Sequence, residues 1–245
     1  MNTVLVLLCI IAFFAGFVDA IVGGGGLLQT PSALILLPQQ PVATVIGTLK
    51  IPSFTGTSLA SVQYARKVSF DRRQIVAMMV IAMLAAFAGS ALLTVVSNRF
   101  MKPVLLVILI AVAIYTLLNK NFGTRSSLVL GFYDGFIGPG AGSFLVLSFI
   151  SLLGFDFLRA SAHARFVNLA TNLGSIALFV IRGKIMFAIA IPMAICNGVG
   201  GMLGARLALL RGNRFIRTLF LIVVLGTIAR FAYEVIVSLY PVLSS

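Results

Sequence analysis

Two carboxylates, two cations and two glycine clusters stand inside apolar stretches of this chain. Asp19 precedes Gly23-Gly24-Gly25-Gly26, and Asp134 precedes Gly138-Pro139-Gly140-Ala141-Gly142. Glycine tolerates positive φ and lets backbones approach closely. A helix that begins after such a break presents N–H groups without helical acceptors and the positive end of its dipole. Such starts are expected at Leu27 and Ser143. Two of them meeting in the interior make an anion site. The candidate donors are the backbones of Gly24, Gly25, Gly26, Gly140 and Gly142, with hydroxyls from Thr30 and Ser143 just past the breaks. The competing use of glycine is close helix packing, the role expected for Gly200 and Gly204.

Ser161, Arg165, Asn168, Asn172 and Ser175 recur at intervals of four and three, so they share one helix face. Gly47, Lys50, Phe54 and Thr57 form a matching stripe earlier in the chain, and this alignment sets Lys50 opposite Asn168. Charges inside spans are costly and point to function. Lys50 and Arg165 are expected to neutralise a bound anion, and Asn168 and Asn172 to orient it. Either cation could instead snorkel to an interface or pair with an aspartate. Asp19 and Asp134 either orient the breaks, by bonding N–H groups or the cations, or carry protons for coupled transport. A third use, an aspartyl intramembrane protease, needs two carboxylates sharing one proton, and it leaves the buried cations unexplained. His163 lies one turn from the end of its span, as an interfacial hydrogen-bonding residue. No HExxH occurs, and Cys9 and Cys196 sit singly in apolar segments as packing residues. No catalytic group, metal or cofactor is expected.

These residues need apolar elements around them. Hydrophobic residues make up 60% of the 245 and charged residues only 9%, against about 45–50% and 25% in soluble proteins. Runs such as Ile75–Val96, Val104–Leu118 with its flanks, and Phe215–Ile228 are suited to crossing a hydrocarbon core. The formal charge of +13 comes without a basic arm or helix, so nucleic acid is not the partner. The basic residues lie in short gaps between apolar runs, the positive-inside pattern. The partners expected are the bilayer, a small anion and a second copy of the chain in a homodimer.

The chain also repeats. Gly16-Phe17-Val18-Asp19 resembles Gly131-Phe132-Tyr133-Asp134, 115 positions later, and Asn98-Arg99-Phe100 recurs as Asn213-Arg214-Phe215 at the same offset. Gly89 pairs with Gly204 likewise, whereas Lys67-Val68-Ser69-Phe70 resembles Lys184-Ile185-Met186-Phe187 at 117, which reads as a small insertion. The halves are 1–122 and 123–245. Met1–Ala20 looks like a signal peptide but lacks a positive start, and it belongs to the repeat. The first segment is therefore expected to stay. Arg66, Lys67, Arg72, Arg73, Lys120, Arg125, Arg159, Arg206, Arg211, Arg214 and Arg217 are assigned to the cytoplasm. Arg99, Lys102, Arg182 and Lys184 are assigned outside, with both termini. Lys67 and Lys184 then face opposite sides, so the fold class is all-α: a polytopic membrane protein of two inverted repeats, each opening with a glycine-broken re-entrant hairpin.

The stretches GFVDAIVGGGGLLQTPSAL (16–34) and GFYDGFIGPGAGSFLVLSFISLLGFD (131–156) resemble the TauE/SafE family of sulfite exporters, also called TSUP. HARFVNLATNLGSIALF (163–179) and GTLKIPSFTGTS (47–58) extend the likeness over nearly the whole chain. The resemblance implies a carrier of the bacterial inner membrane for sulfite, thiosulfate or organosulfonates, often exporting them. Alternating access around a mid-membrane site is the expected mechanism, and a passive anion channel of the same fold is the alternative. Family members usually carry a proline after each glycine cluster. Pro31 fits, whereas the second half has Pro139 inside its cluster and no proline at Leu147 nearby.

Overall fold

A computed structural model describes residues 2–95, 124–136, 138 and 140–243. The expected return span at 104–118 and the flanking Arg99, Lys102 and Lys120 lie outside the described residues, as does Pro139. The elements are all helical: α1 (Asn2–Val22), α2 (Gly25–Leu36), α3 (Val42–Ala65), α4 (Arg72–Val95), α5 (Thr124–Phe136), α6 (Ala141–Leu153), α7 (Phe157–Ile181) and α8 (Phe187–Leu243). Helical geometry in α8 is interrupted at Gly212, so the apolar run beginning at Phe215 forms its second part.

Among the described residues, four segments are long and apolar enough to cross a membrane: Thr3–Val22, Arg72–Val95, Phe157–Ile181 and Phe187–Val223. Their outer faces carry rows at helical spacing: Val6, Ile10 and Phe14 on α1, Val76, Val80 and Leu84 on α4, and Ile191, Ile195 and Val199 on α8. Rows of exposed large apolar side chains on three helices are what lipid-facing surfaces require. Helix α3 has 24 residues but more polar ones. It packs against α8 and α7, and this protein cover replaces the apolarity that lipid would demand.

Each half gives its first helix to the other. Helix α1 packs on α8, and α5 packs on α4. A Cβ on Gly204 would lie 2.3 Å from the Phe17 carbonyl oxygen, and one on Gly89 would lie 2.2 Å from the Phe132 carbonyl oxygen. Both contacts join residues at the common offset of 115, and side chains there would push the helices apart. Gly200, one turn before Gly204, sits equally close to Phe13, which is the packing role expected of that pair.

The same offset relates the starts of α3 and α7, at 42 and 157, and of α4 and α8, at 72 and 187. No insertion separates these helix starts. The tetrapeptide match at 117 is a likeness between loops, and it misplaced the first-half stripe by about one helical turn. With the offset corrected, Lys50 corresponds to Arg165, and Asn168 corresponds to Ser53.

Helices α3 and α7 run in opposite directions. The Met186 N–H donates to Thr48 Oγ1 at 3.0 Å, tying the α7–α8 loop to the start of α3. The Phe70 ring in the α3–α4 loop lies 4.7 Å from that of His163, near the start of α7. At the same end, Asn213 Oδ1 accepts from the Leu158 N–H at 2.7 Å. Arg66, Lys67, Arg159 and Arg214 therefore gather at one end, and Arg182 and Lys184 at the other.

Helix α6 has 13 residues, about 20 Å at 1.5 Å per residue. Helix α2 has 12, but α1 has 21, about 32 Å and long enough to cross alone.

Candidate functional site

The first break is narrower than the glycine run implied. Gly23 has φ 83° and Gly24 caps α2. Gly25 and Gly26 already belong to the helix, so it starts two residues before Leu27. In the second hairpin Gly138 has φ 87° and Gly140 caps α6, which starts at Ala141. Gly23 and Gly138 are 115 positions apart with nearly the same backbone torsion.

The two tips touch. A Cβ on Gly23 would lie 2.2 Å from the Gly142 carbonyl carbon. The last carbonyls of α1 lack helical partners, and each finds one nearby. The Gly23 N–H donates to Asp19 O at 2.8 Å, and the Tyr64 hydroxyl to Ala20 O at 3.0 Å. Ser161 Oγ donates to Ile21 O at 2.9 Å and Ser143 Oγ to Val22 O at 3.2 Å. The equivalent end of α5 is met by the Gly138 N–H on Tyr133 O, Lys50 Nζ on Asp134 O and Ser90 Oγ on Gly135 O. Satisfied in this way, a helix end can sit in the interior of the protein.

Two ion pairs cross between the halves. Lys50 Nζ lies 3.2 Å from Asp134 Oδ1 and donates to the Asp134 carbonyl at 2.6 Å. Arg165 Nη1 donates to Asp19 Oδ2 at 2.5 Å, and Asp19 Oδ1 accepts from the Gly25 N–H at 3.3 Å. Each cation of one half thus holds the hairpin of the other. The carboxylates are bound to separate cations, unlike a protease dyad sharing a proton.

Between the tips and the α3/α7 pair lies a cavity of about 40 Å³. Asp19 and Asp134, Gly23 and Gly138, and Ser53 and Asn168 line it as equivalent pairs. Lys50, Gly26, Gly142, Thr30, Asn172, Ile46 and Leu49 complete the wall. Gly26 and Gly142 sit in the first turns of α2 and α6, where backbone N–H groups have no helical acceptor behind them. The cavity therefore combines an ammonium, two helix starts and two amides with a pair of carboxylates.

Comparison with known proteins decides the family. Residues 8–231 match the family described as Sulfite exporter TauE/SafE. The chain belongs to the TauE/SafE family. It is 34% identical over 233 residues to a probable membrane transporter protein, ORF9, of Sinorhizobium, covering 89% of this chain and 88% of that one. It is 32% identical over 244 residues to a probable membrane transporter protein of Haemophilus influenzae, covering 94% and 95%. To the probable membrane transporter protein YfcA of Escherichia coli K12 it is 33% identical over 241 residues, covering 91% and 88%. No solved structure matches. Family and apolar helices together make this an integral membrane protein of a transporter family.

In this TauE/SafE member the expected site residues divide into two groups. Gly26, Thr30, Lys50, Gly142, Asn168, Asn172, Asp19 and Asp134 meet at the cavity. Gly24, Gly25, Gly140, Ser143 and Arg165 are not on its wall. Gly25 packs on Ala15, Gly140 faces Leu27, and Ser143 spends its hydroxyl on Val22. Arg165 is fully buried behind the wall, with Nε and Nη2 unpartnered. These five stand at the tips or behind the wall, one step from the cavity. His163 is elsewhere, ringed by Phe70, Phe149 and Phe155. Its Nδ1 lies 2.7 Å from the Arg159 carbonyl, to which it donates.

Ser53 was missed because the misplaced stripe chose Phe54. The common offset applied to Asn168 would have found it. A second omission is Gln29, which is buried and accepts from Asn197 Nδ2 at 3.3 Å. Asn197 lies on α8, and no local pattern joins it to Gln29. Cys9 and Cys196 line one outward apolar groove, so they lie close together across α1 and α8.

Proposed function

We propose that this TauE/SafE-family protein is a secondary transporter that exports small sulfur oxyanions, such as sulfite, thiosulfate or organosulfonates, across the bacterial cytoplasmic membrane. Substrate binds in the cavity between the hairpin tips. The observation that carries this reading is the convergence there of Lys50 with Gly26 and Gly142 at two helix starts, and with Asn168 and Asn172. A sulfur oxyanion offers several acceptor oxygens, which suit an ammonium and backbone N–H groups.

Access alternates because the two halves are inverted copies, and what opens one end of the cavity has a counterpart at the other. The antiparallel course of α3 and α7 and the exchange of α1 and α5 support this reading. The end holding Arg66, Lys67 and Arg159 faces the cytoplasm, in keeping with the positive-inside rule, and both termini face outside.

Proteoliposome transport of sulfite and thiosulfate tests the site. Lys50→Ala and Asn168→Ala are expected to lower uptake at least tenfold while the protein stays folded. Unchanged transport in both would place the substrate elsewhere. Uphill accumulation under an imposed gradient separates a carrier from a passive channel. Labelling of single cysteines at positions 69 and 183 from either side of the membrane tests the orientation.

A further inference from the structure

The twin ion pairs occupy equivalent positions but differ in what surrounds them. Arg165 is fully buried and off the cavity wall, and its partner Asp19 also holds the Gly25 N–H. Lys50 and Asp134 both face the cavity. Asp134 Oδ2 has no hydrogen-bond partner among the described residues, and the Asp134 residue is only 4% exposed. An ammonium has three donors, and Lys50 places two, on the carbonyl and carboxylate of the same residue.

Charge then limits what can enter. Asp19, Asp134, Lys50 and Arg165 sum to zero. A monoanion added alone leaves one uncompensated negative charge in a buried site, which costs several kcal/mol. A proton on a carboxylate removes that cost. Asp134 is placed to take it: its free oxygen is unbonded, and its cation can turn to the cavity without moving a wall. Lys50 keeps its bond to the Asp134 carbonyl, so the tip stays held when the carboxyl lets go.

Among the described residues, the charged surroundings of Asp134 are few. Lys50 reaches it from α3, and Asp19 faces the same cavity from α1. Helix α6 carries no charged residue, and α4 carries only Arg72 and Arg73, exposed at its first turn. Helix α7 contributes Arg165, held by Asp19, with Arg159 and His163 in its first turns and Arg182 at its C-terminal cap. On α5 itself, Arg125 stands in the first turn, nine positions before Asp134, and Tyr133 adjoins Asp134 and is buried.

We infer that the anion binds together with one proton: the proton joins Asp134 Oδ2, the Lys50 ammonium passes from Asp134 Oδ1 to the anion, and the Arg165–Asp19 pair stays closed. The inference rests on the anion site proposed above and makes singly charged sulfonates the preferred class, since one proton balances one charge. Loading is then electroneutral, and release of the anion returns the proton.

Binding of methanesulfonate, a monoanion throughout the neutral pH range, tests this on the full-length protein in lipid nanodiscs. Calorimetry in buffers of different ionisation heat counts protons taken up. The expected result is one proton per anion, with affinity falling about tenfold per unit rise in pH wherever that uptake is complete. Asp134→Asn should bind with pH-independent affinity and no uptake. Asp19→Asn should still take up a proton, whatever its affinity. Binding with no proton uptake and constant affinity overturns this inference and leaves the anion site standing. Absence of binding by methanesulfonate, sulfite and thiosulfate alike overturns the anion site and this inference with it. Loss of uptake in Asp19→Asn with retention in Asp134→Asn also overturns it. Should Asp134→Asn fail to fold, the proton count on the unmodified protein decides.

Discussion

Removing one member of the Arg165–Asp19 pair should cost a very different amount from removing the other. In Asp19→Asn, Arg165 keeps its charge with its side chain at 0% exposure and no counterion. Stranding one partner of a buried pair costs about 3–5 kcal/mol. The asparagine oxygen still accepts one hydrogen bond and returns about 1 kcal/mol. The net expectation is about 2–4 kcal/mol. In Arg165→Met, Asp19 keeps the Gly25 N–H, has a side chain 17% exposed and adjoins the cavity. That cavity, at about 40 Å³, exceeds the roughly 10–15 Å³ that a water needs. Hydration lowers the expected loss to about 1–2 kcal/mol. The double variant has no stranded charge and should recover to within about 1 kcal/mol of the parent. The coupling in the cycle is then about 2–6 kcal/mol, far above the few tenths seen for independent sites. Reversible unfolding in mixed detergent–SDS micelles, followed by helical circular dichroism, measures all four proteins. Equal, additive losses below 1 kcal/mol would refute the claim that this pair clamps the first hairpin to the second half.

Three further expectations test the packing. Gly23→Ala places a side chain at φ 83° and 2.2 Å from the Gly142 carbonyl carbon, whereas Gly154→Ala has φ 66° with nothing within 4 Å. Thermal melting should show about 1–2 kcal/mol lost at Gly154 with transport retained, and a larger loss with transport abolished at Gly23. Gly89→Ala and Gly204→Ala meet equivalent carbonyls at 2.2 and 2.3 Å. Their melting temperatures should fall by similar amounts, and a large difference would break the equivalence of the α4–α5 and α1–α8 contacts. Mild oxidation with copper phenanthroline should join Cys9 to Cys196 within one chain, detected by mass spectrometry of the linked peptides. Absence of that link would count against α1 lying on α8.

Much of this arrangement is legible in the sequence because membranes make polar residues and helix breaks expensive. Asp19, Lys50, Asp134 and Arg165 stand out in apolar surroundings, and all four lie at or beside one cavity. Gly23 and Gly138 stand out because a break inside a span must be shielded. The partners of these residues were less legible. Lys50 meets Asp134 and Arg165 meets Asp19 across separations of 84 and 146 positions, and nothing local encodes such contacts. The alignment failed between Lys50 and Lys67, where a loop tetrapeptide looked more alike at 117 than the helix starts do at 115. Helix starts are set by packing on both sides of the turn, while loop residues answer to little besides solvent and charge. The exact length of each break was also hidden, because Gly25 and Gly26 serve a helix's first turn as readily as a loop.

The corrected register changes what the symmetry means for the site. A cavity built only from equivalent residues would look the same from either half. Gly23 and Gly138 keep that sameness in the tips, and Asp19 and Asp134 keep it in the carboxylates. The departures lie on α3 and α7, where Lys50 answers to Arg165, Ser53 to Asn168 and Thr57 to Asn172. Lysine faces the cavity while arginine stays behind the wall, which suits a compact ammonium to a changing partner and a planar guanidinium to a fixed one. Two amides of the second half stand where the first has hydroxyls, so both side-chain amides of the wall come from the second half. The first half supplies the cation and the second supplies its carboxylate, so in the cycle proposed above the pair that responds to substrate spans the boundary that has to move.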